Sequence, residues 1–198
     1  MVVGVTGASG ALYGAHFLRA LTEIVPGESS LIISPAALRV YREESESKVD
    51  SVEAYLDEVL SPAAAHKHSF TTHDHRDIGA KPASGSTPRD GMVVVPCSMK
   101  SVAAICHGYT TNLIERAADV SLKERRKLVL VPRETPYNLV HLRNMTALTE
   151  AGAVILPASP GFYQLPRTMD DLGRFIAGRI LSLFGVEHSL FKLWKPDE

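Results

Sequence analysis

The chain has 198 residues, typical of a single domain, and its 21 Lys and Arg residues nearly balance 22 Asp and Glu residues, giving a net charge of -1. This balance provides no large positive field, and the apolar runs are short, so neither nucleic acid nor a membrane is expected as a partner. Two cysteines are too few for a disulfide scaffold or a zinc site, and the first residues do not resemble a signal peptide, so we expect a cytoplasmic protein without a metal.

Five short, β-branched apolar runs alternate with longer helical patterns. Consecutive apolar residues are typical of parallel strands that are covered on both faces. The predicted strands are 2–6, 30–34, 92–96, 127–132 and 153–157. Helical patterns cover about 10–45 on either side of the second strand, 98–119, 137–151 and 169–184. This order predicts one α/β domain over residues 1–198, with a three-layer, doubly wound, Rossmann-like parallel sheet.

The segment 43–90 departs from this alternation. Residues 51–60 have the pattern of an amphipathic helix, with Asp50 or Ser51 as its N-cap. Residues 62–90 are polar and rich in His, Ser, Gly and Pro, which predicts a solvated loop. The spacing of its histidines matches no zinc pattern, so we interpret them as loop residues. They are His66, His68, His73 and His75.

The first strand ends in a glycine-rich turn, residues 6–10, that leads into a helix. Such a turn lets a phosphate approach the backbone at a helix N-terminus, although a simple tight turn is the alternative. Gly14 lies on the helix face that should pack on the sheet. A dinucleotide site would require a different glycine spacing and an acidic residue after the second strand, where Ser34 stands. The pattern therefore favours a mononucleotide.

Two further strand ends carry polar side chains. Residues 97–101 place Ser98, Lys100 and Ser101 at a helix start, which suits an anion or the edge of a flavin ring. Cys97 is more simply a buried small residue than a nucleophile. After the fourth strand, Arg133 and Glu134 lie between two prolines, and either a surface ion pair or a site at the edge of the sheet would explain them.

The last helix has an arginine within its apolar stripe. The stripe consists of Leu172, Phe175, Ile176, Ile180 and Leu183. Arg179 is spaced three and four residues from its members, which predicts a buried guanidinium. A buried guanidinium requires a partner, and a core carboxylate and a bound phosphate are about equally plausible.

Five blocks in this order resemble the UbiX/Pad1 family of flavin prenyltransferases. They are residues 6–10 (TGASG), 96–100 (PCSMK), 112–120 (NLIERAADV), 130–136 (LVPRETP) and 160–163 (PGFY). The resemblance covers nearly the whole chain and is weak only over about 45–81. The blocks around Arg116 and Arg133 are highly specific, whereas the glycine turn is not.

The resemblance implies a set of functional residues. The implied FMN site consists of Gly7, Ala8, Ser9, Ser34, Ser98, Met99, Lys100, Ser101 and Arg133. Relatives also carry Thr-Gly at the positions of Met99 and Lys100. The implied site for dimethylallyl phosphate consists of Arg116, Lys123, Tyr163 and Arg179. The implied catalytic residues are Glu134, Glu44, Ser9 and Trp194, with Glu43 as a rival to Glu44.

The implied reaction joins a dimethylallyl group to N5 and C6 of reduced FMN and gives prenylated FMN, the cofactor of a UbiD-type partner decarboxylase. The family also implies a homo-oligomer, a dodecamer, whose sites are shared between subunits, with the tail 185–198 at a subunit interface. Two alternatives remain open: an FMN-dependent cysteine decarboxylase, in which His16 would need a catalytic role, and a non-catalytic FMN carrier. In our interpretation His16 is a helix-surface or subunit-contact residue.

Overall fold

A computed structural model of the chain describes residues 1–191, and six strands in these residues form one parallel sheet. The strands are β1 (Val2–Val5), β2 (Gly27–Ile33), β3 (His68–Thr72), β4 (Gly91–Cys97), β5 (Lys127–Pro132) and β6 (Val154–Ile155). Their order across the sheet is β3-β2-β1-β4-β5-β6. All pairs are parallel, so every strand ends at the same edge, the carboxyl edge, and starts at the opposite amino edge.

Helices cover both faces of the sheet. They are α1 (Ala11–Ile24), α2 (Pro35–Ser45), α3 (Val52–Leu60), α4 (Met99–Cys106), α5 (Leu113–Lys123), α6 (Leu139–Glu150) and α7 (Met169–Leu183). Alternate strand residues, such as Val3 and Val2, enter separate cores. One core lies beneath α1, α2, α3 and α7, and the other beneath α4, α5 and α6. The predicted three-layer α/β fold is therefore confirmed, and no helix within residues 1–191 is long and apolar enough to cross a membrane.

The element predictions are confirmed except in three places. The predicted helix 98–119 is two helices, because the chain leaves the helix after His107 and Asn112 caps a second one. The fifth predicted strand is reduced to two residues. The loop prediction for residues 62–90 was wrong in part, since β3 lies within it.

Histidines explain how a polar segment becomes the edge strand β3. His68 bonds through Nδ1 to the carbonyl oxygen of Val25 at 2.9 Å and through Nε2 to Ser29 Oγ at 2.8 Å. His73 Nε2 lies 3.1 Å from Ser30 Oγ. The side chains that indicated a solvated loop thus attach β3 to β2.

Stability should fall when the protein is acidified below neutral pH. Burial lowers the pKa values of His16, His68 and His73, so the folded protein binds fewer protons than the unfolded chain below about pH 6.5. A lowered histidine pKa stabilises the fold above the unfolded pKa, and that stabilisation is lost as the pH falls. Urea unfolding between about pH 7.5 and 5.5 should show it, with each histidine contributing less than about 1.4 kcal/mol per pH unit.

The matched variants for this test are His68→Asn and His66→Asn. His68 is hydrogen-bonded between β2 and β3, whereas His66 is exposed. We expect the first variant to have a smaller pH slope than the wild type and the second to keep the wild-type slope. Equal slopes in all three proteins would contradict the role of His68.

Candidate active site

The carboxyl edge has a crevice beside β1. Strand order reverses there, because β2 lies on one side of β1 and β4 on the other, and open α/β sheets bind ligands at this position. The helices α1, α2 and α4 all begin at this edge and direct backbone N–H groups toward it. Gly7 allows this close approach, since a Cβ at that position would lie 2.6 Å from Ala36 Cβ at the start of α2.

Three of the predicted site residues meet at the β1–α1 turn, immediately after Ala8. The hydroxyl of Ser9 is hydrogen-bonded to the carboxylate of Glu44 from the last turn of α2. Arg133, which follows β5, donates from Nε to the carbonyl oxygen of Ser9 at 3.0 Å. Ser9 is therefore held between an acid and a guanidinium that are distant from it in sequence.

Glu44 also occupies the N-terminus of α1. Its Oε1 accepts from the Gly10 N–H at 2.9 Å, and its Oε2 accepts from the Ala11 N–H at 2.8 Å. Burial alone would raise the pKa of Glu44, but these hydrogen bonds, the Ser9 hydroxyl and the charge of Arg133 hold it below its usual range. The turn that favoured a bound phosphate therefore already holds a carboxylate of this chain, and phosphate-binding N–H groups remain at α2 and α4.

The geometry also separates Glu44 from its rival Glu43. Glu43 Oε1 accepts from Arg39 Nε at 2.8 Å, and both side chains are exposed on the outer surface of α2. Glu44 is the acid that reaches Ser9.

Serines cap the other two helices at the crevice. Ser34 Oγ accepts from Ala37 N at 3.1 Å at the start of α2. At the start of α4, Ser98 Oγ accepts from Ser101 N at 3.3 Å and lies 3.1 Å from Ser101 Oγ. Met99 between them is buried. Two capped helix starts and three hydroxyls therefore lie at the crevice, and helix N-termini are common binding sites for phosphate groups.

Lys100 has a partner that sequence reasoning missed. Its Nζ is paired with Glu115, whose side chain is fully buried at the start of α5. Glu115 Oε2 also accepts from the N–H and the hydroxyl of Thr111, at 2.9 and 2.8 Å. The Lys100 and Thr111 bonds lower the pKa of Glu115 although burial acts in the opposite direction. The sequence showed a glutamate three residues after the N-cap Asn112. It did not show that this side chain reaches Lys100 on α4.

Arg116 and Lys123 lie on α5, Arg116 in its first turn and Lys123 at its last residue. Their partners there are local acids, Asp119 and Glu124. Because α5 runs antiparallel to the strands, Lys123 lies near the amino edge, whereas Arg133 follows the carboxyl end of β5. The 6 residues of β5 separate the two edges by about 20 Å. Within one chain, Lys123 and the crevice residue Arg133 therefore lie at opposite edges of the sheet.

The prediction of a buried Arg179 was wrong, because its side chain is exposed on α7. The buried face of this helix consists mainly of Gly173, Ile176, Ala177, Ile180 and Leu181. At about 100° per residue, Arg179 lies about 120° from the centre of that face. Phe175, Ile176 and Ile180 of the predicted stripe are buried, but the buried face continues through the small residues Gly173 and Ala177 and does not include Arg179.

The remaining residues have simpler positions. Tyr163 is half-exposed in the loop after β6, and Glu134 is partly buried beside Arg133, with its Oε1 accepting from Thr135 N at 3.0 Å. Cys97 is buried, which agrees with its interpretation as a packing residue. Burial also raises the pKa of its thiol, so the thiolate that a nucleophile needs is disfavoured. Trp194 lies outside the described residues.

His16 is not a surface residue. It is buried between α1 and α7, with Nε2 3.1 Å from Asp170 Oδ1. A Cβ at Gly173 would lie 2.1 Å from His16 Cδ2, so the ring packs directly on the backbone of α7. Gly173 therefore explains the tight contact of the two helices. The close packing predicted for Gly14 is also confirmed, because a Cβ at that position would lie 2.9 Å from the Val95 carbonyl oxygen.

Comparison with known proteins identifies the family of this chain. Residues 1–180 match the Flavoprotein family model. The chain is 45% identical to the flavin prenyltransferase UbiX of Alkalihalophilus pseudofirmus over 98% of this chain and 95% of that protein. It is 42% identical to the UbiX of Escherichia coli K12, over 98% and 97%.

Solved structures give the same result. A dodecameric FMN-dependent UbiX-like decarboxylase from Escherichia coli O157:H7 has a TM-score of 0.85 at 42% identity, over 98% of both chains. AnUbiX in complex with FMN and dimethylallyl pyrophosphate has a TM-score of 0.82 at 40% identity, over 100% of this chain and 97% of that one. The peptidyl-cysteine decarboxylase EpiD, at 15% identity and a TM-score of 0.54, shares the fold. This chain belongs to the Flavoprotein family and, within it, to the UbiX flavin prenyltransferases.

Proposed function

We propose that this protein transfers the dimethylallyl group of dimethylallyl phosphate to reduced FMN and releases prenylated FMN and phosphate. The observation that carries the proposal is the contact of Ser9 with both Glu44 and Arg133 at the crevice beside β1. An acid, a hydroxyl and a cation at the carboxyl edge can move a proton and hold an anionic flavin. The family supports the same reaction.

The FMN phosphate would bind at the starts of α2 and α4. Ser34, Ser98 and Ser101 supply hydroxyls there, and Lys100 supplies an ammonium group. Arg133 would lie beside the flavin ring, where a guanidinium can stabilise negative charge. Because no acidic residue follows β2, NAD should not bind.

The catalytic residues would transfer protons around the bound flavin. Reduced FMN supplies two nucleophilic atoms, N5 and C6, which form bonds to the two ends of the allyl group. The Ser9 hydroxyl donates a hydrogen bond to the ionised Glu44, so its oxygen is free to accept a hydrogen bond from the substrate. The proton that N5 loses would pass to the departing phosphate and from it to the allyl double bond, and Glu134, beside Arg133, would accept the proton that C6 loses when the second bond forms. The departing phosphate can share that acceptor role.

The donor phosphate would be bound by Arg116, Lys123, Tyr163 and Arg179. Positive charge and a hydroxyl stabilise a leaving phosphate without a metal. Because Lys123 lies near the amino edge, away from the crevice, the proposal requires a homo-oligomer in which neighbouring subunits complete each site. The dodecameric relative supports this assembly. Trp194 and the tail 185–198 would close the site at a subunit interface, and a cytoplasmic UbiD-type decarboxylase would use the product.

The proposal is tested by incubating the purified protein anaerobically with reduced FMN and either dimethylallyl phosphate or dimethylallyl pyrophosphate. Mass spectrometry of the released flavin should show a gain of one prenyl unit, and FMN but not NAD should remain bound on purification. A carrier would bind FMN without this gain. A cysteine decarboxylase would instead release carbon dioxide from a peptide with a C-terminal cysteine, and that outcome would contradict the proposal.

A further inference from the structure

A row of aromatic rings connects the loop after β6 to the chain that follows α7. The ring of Tyr163 meets the buried ring of Phe175 edge-on, with centroids 6.0 Å apart and planes at 81°. Phe175 in turn packs against Phe191, with centroids 5.1 Å apart. Phe175 therefore contacts both Tyr163 and Phe191.

Glycines on both sides of Phe175 make this row possible. A Cβ at Gly178 would lie 2.6 Å from Phe191 Cε1, so the ring of Phe191 lies directly on the backbone of α7. A Cβ at Gly161 would lie 2.6 Å from Tyr163 Cε1 and 3.3 Å from Phe175 Cζ. Any larger residue at either position would move a ring away from Phe175.

The segment that carries Phe191 is also fixed by a hydrogen bond. His188 Nε2 lies 2.9 Å from Ser182 Oγ in the last turn of α7, and the His188 ring packs 5.0 Å from that of Phe191. Residues 184–191 thus return along α7 and deliver Phe191 to Phe175.

The packing beneath the loop is incomplete. A cavity of about 250 Å³ lies between the loop, α7 and Phe191, and Leu165 at the end of the loop is exposed. Because the loop borders this cavity, the contacts of the aromatic row help to position it.

We propose that Phe191 is a positioning residue that, through Phe175, sets the orientation of Tyr163. This inference rests on the proposed function, in which the Tyr163 hydroxyl binds the donor phosphate. Arg179, the other α7 residue assigned to that phosphate, directly follows Gly178, on which Phe191 lies. The packing of residues 184–191 on α7 therefore determines the geometry of the donor site and leaves the FMN site unchanged.

The test uses the full-length protein and four variants. Phe191→Ala and Phe191→Leu remove the ring, Phe191→Tyr keeps it, and Ser189→Ala alters an exposed neighbour in the same segment. In each protein, 3-fluorotyrosine replaces Tyr163, and its ¹⁹F resonance reports the ring environment. KM for dimethylallyl phosphate and the FMN Kd are measured in the unlabelled proteins.

We expect the ¹⁹F resonance to shift in the Ala and Leu variants and to stay in place in the Tyr and Ser189→Ala variants. KM for the donor should rise about tenfold in the Ala variant, with the FMN Kd unchanged. An unmoved resonance in both ring-removal variants, or a loss of FMN affinity equal to the rise in KM, would overturn the proposal. The ¹⁹F measurement requires no turnover. It therefore decides the role of Phe191 even if the wild-type protein fails to transfer a prenyl group and the proposed function is refuted.

Discussion

Glu134→Gln is expected to slow formation of the complete product by about a hundredfold or more. The amide has nearly the shape of the carboxylate and can still accept the Thr135 N–H through its oxygen, so the local structure should persist. What is lost is the group that takes the proton from C6. Rapid-quench kinetics followed by mass spectrometry should show dimethylallyl phosphate consumed and flavin that carries the prenyl mass without the absorbance of the cyclised product.

The matched control for this variant is Glu150→Gln at the exposed end of α6. It removes one carboxylate far from the crevice and should leave the rate unchanged. If Glu134→Gln forms the cyclised product at the wild-type rate, Glu134 is not the acceptor and the leaving phosphate performs the whole step.

Mixed oligomers of two inactive variants should recover activity. Arg133→Ala removes a residue of the crevice, and Lys123→Ala removes one near the amino edge, about 20 Å away in the same chain. Each variant alone should be nearly inactive. Suppose that each site takes Arg133 from one subunit and Lys123 from another. When the two variants mix randomly in equal amounts, about a quarter of the sites then contain both intact residues. Coexpression with two affinity tags, followed by sequential purification, supplies the mixed oligomer for the prenyl-transfer assay.

The control is a chain that carries both substitutions, coexpressed with the wild type. Sites shared between subunits predict about a quarter of the wild-type activity for this mixture as well. Sites contained in one chain predict about half for the control and none for the mixture of single variants. The two mixtures together therefore distinguish the arrangements, and an inactive mixture of single variants beside a half-active control would exclude shared sites.

Much of the fold follows from local sequence patterns. The apolar runs predicted β1, β2, β4 and β5 because parallel strands buried on both faces need consecutive apolar residues. Ser51 and Ser98 predicted helix starts because a side-chain oxygen beside the first free N–H groups is a local interaction. The edge strand β3 was missed because its stability comes from pairing with β2 and from the bonds of His68 and His73, which a polar composition conceals.

The candidate site divides in the same way. Residues that follow strands, such as Ser9, Ser98 and Arg133, were identified from the sequence, because the topology of a parallel sheet places all strand ends at one edge. Contacts across the chain were not identifiable: Glu44 reaches the N-terminus of α1 from 34 residues away, and Glu115 reaches Lys100 from a separate helix. These contacts depend on how α2 and α5 pack, which no local pattern specifies.

Two residues of the implied donor site show this limit most clearly. The resemblance to the family implied that Lys123 and Arg179 bind the donor, but only the packing of α5 and α7 decided where they lie. Arg179 is exposed because Gly173 and Ala177 form the face of α7 that meets α1, and Lys123 lies at the amino edge because α5 returns antiparallel to β5. The sequence established the fold class, the family and the residue types of the site, since these are properties of short segments. Their arrangement was decided by the tertiary structure, because it depends on contacts between segments that are distant in the chain.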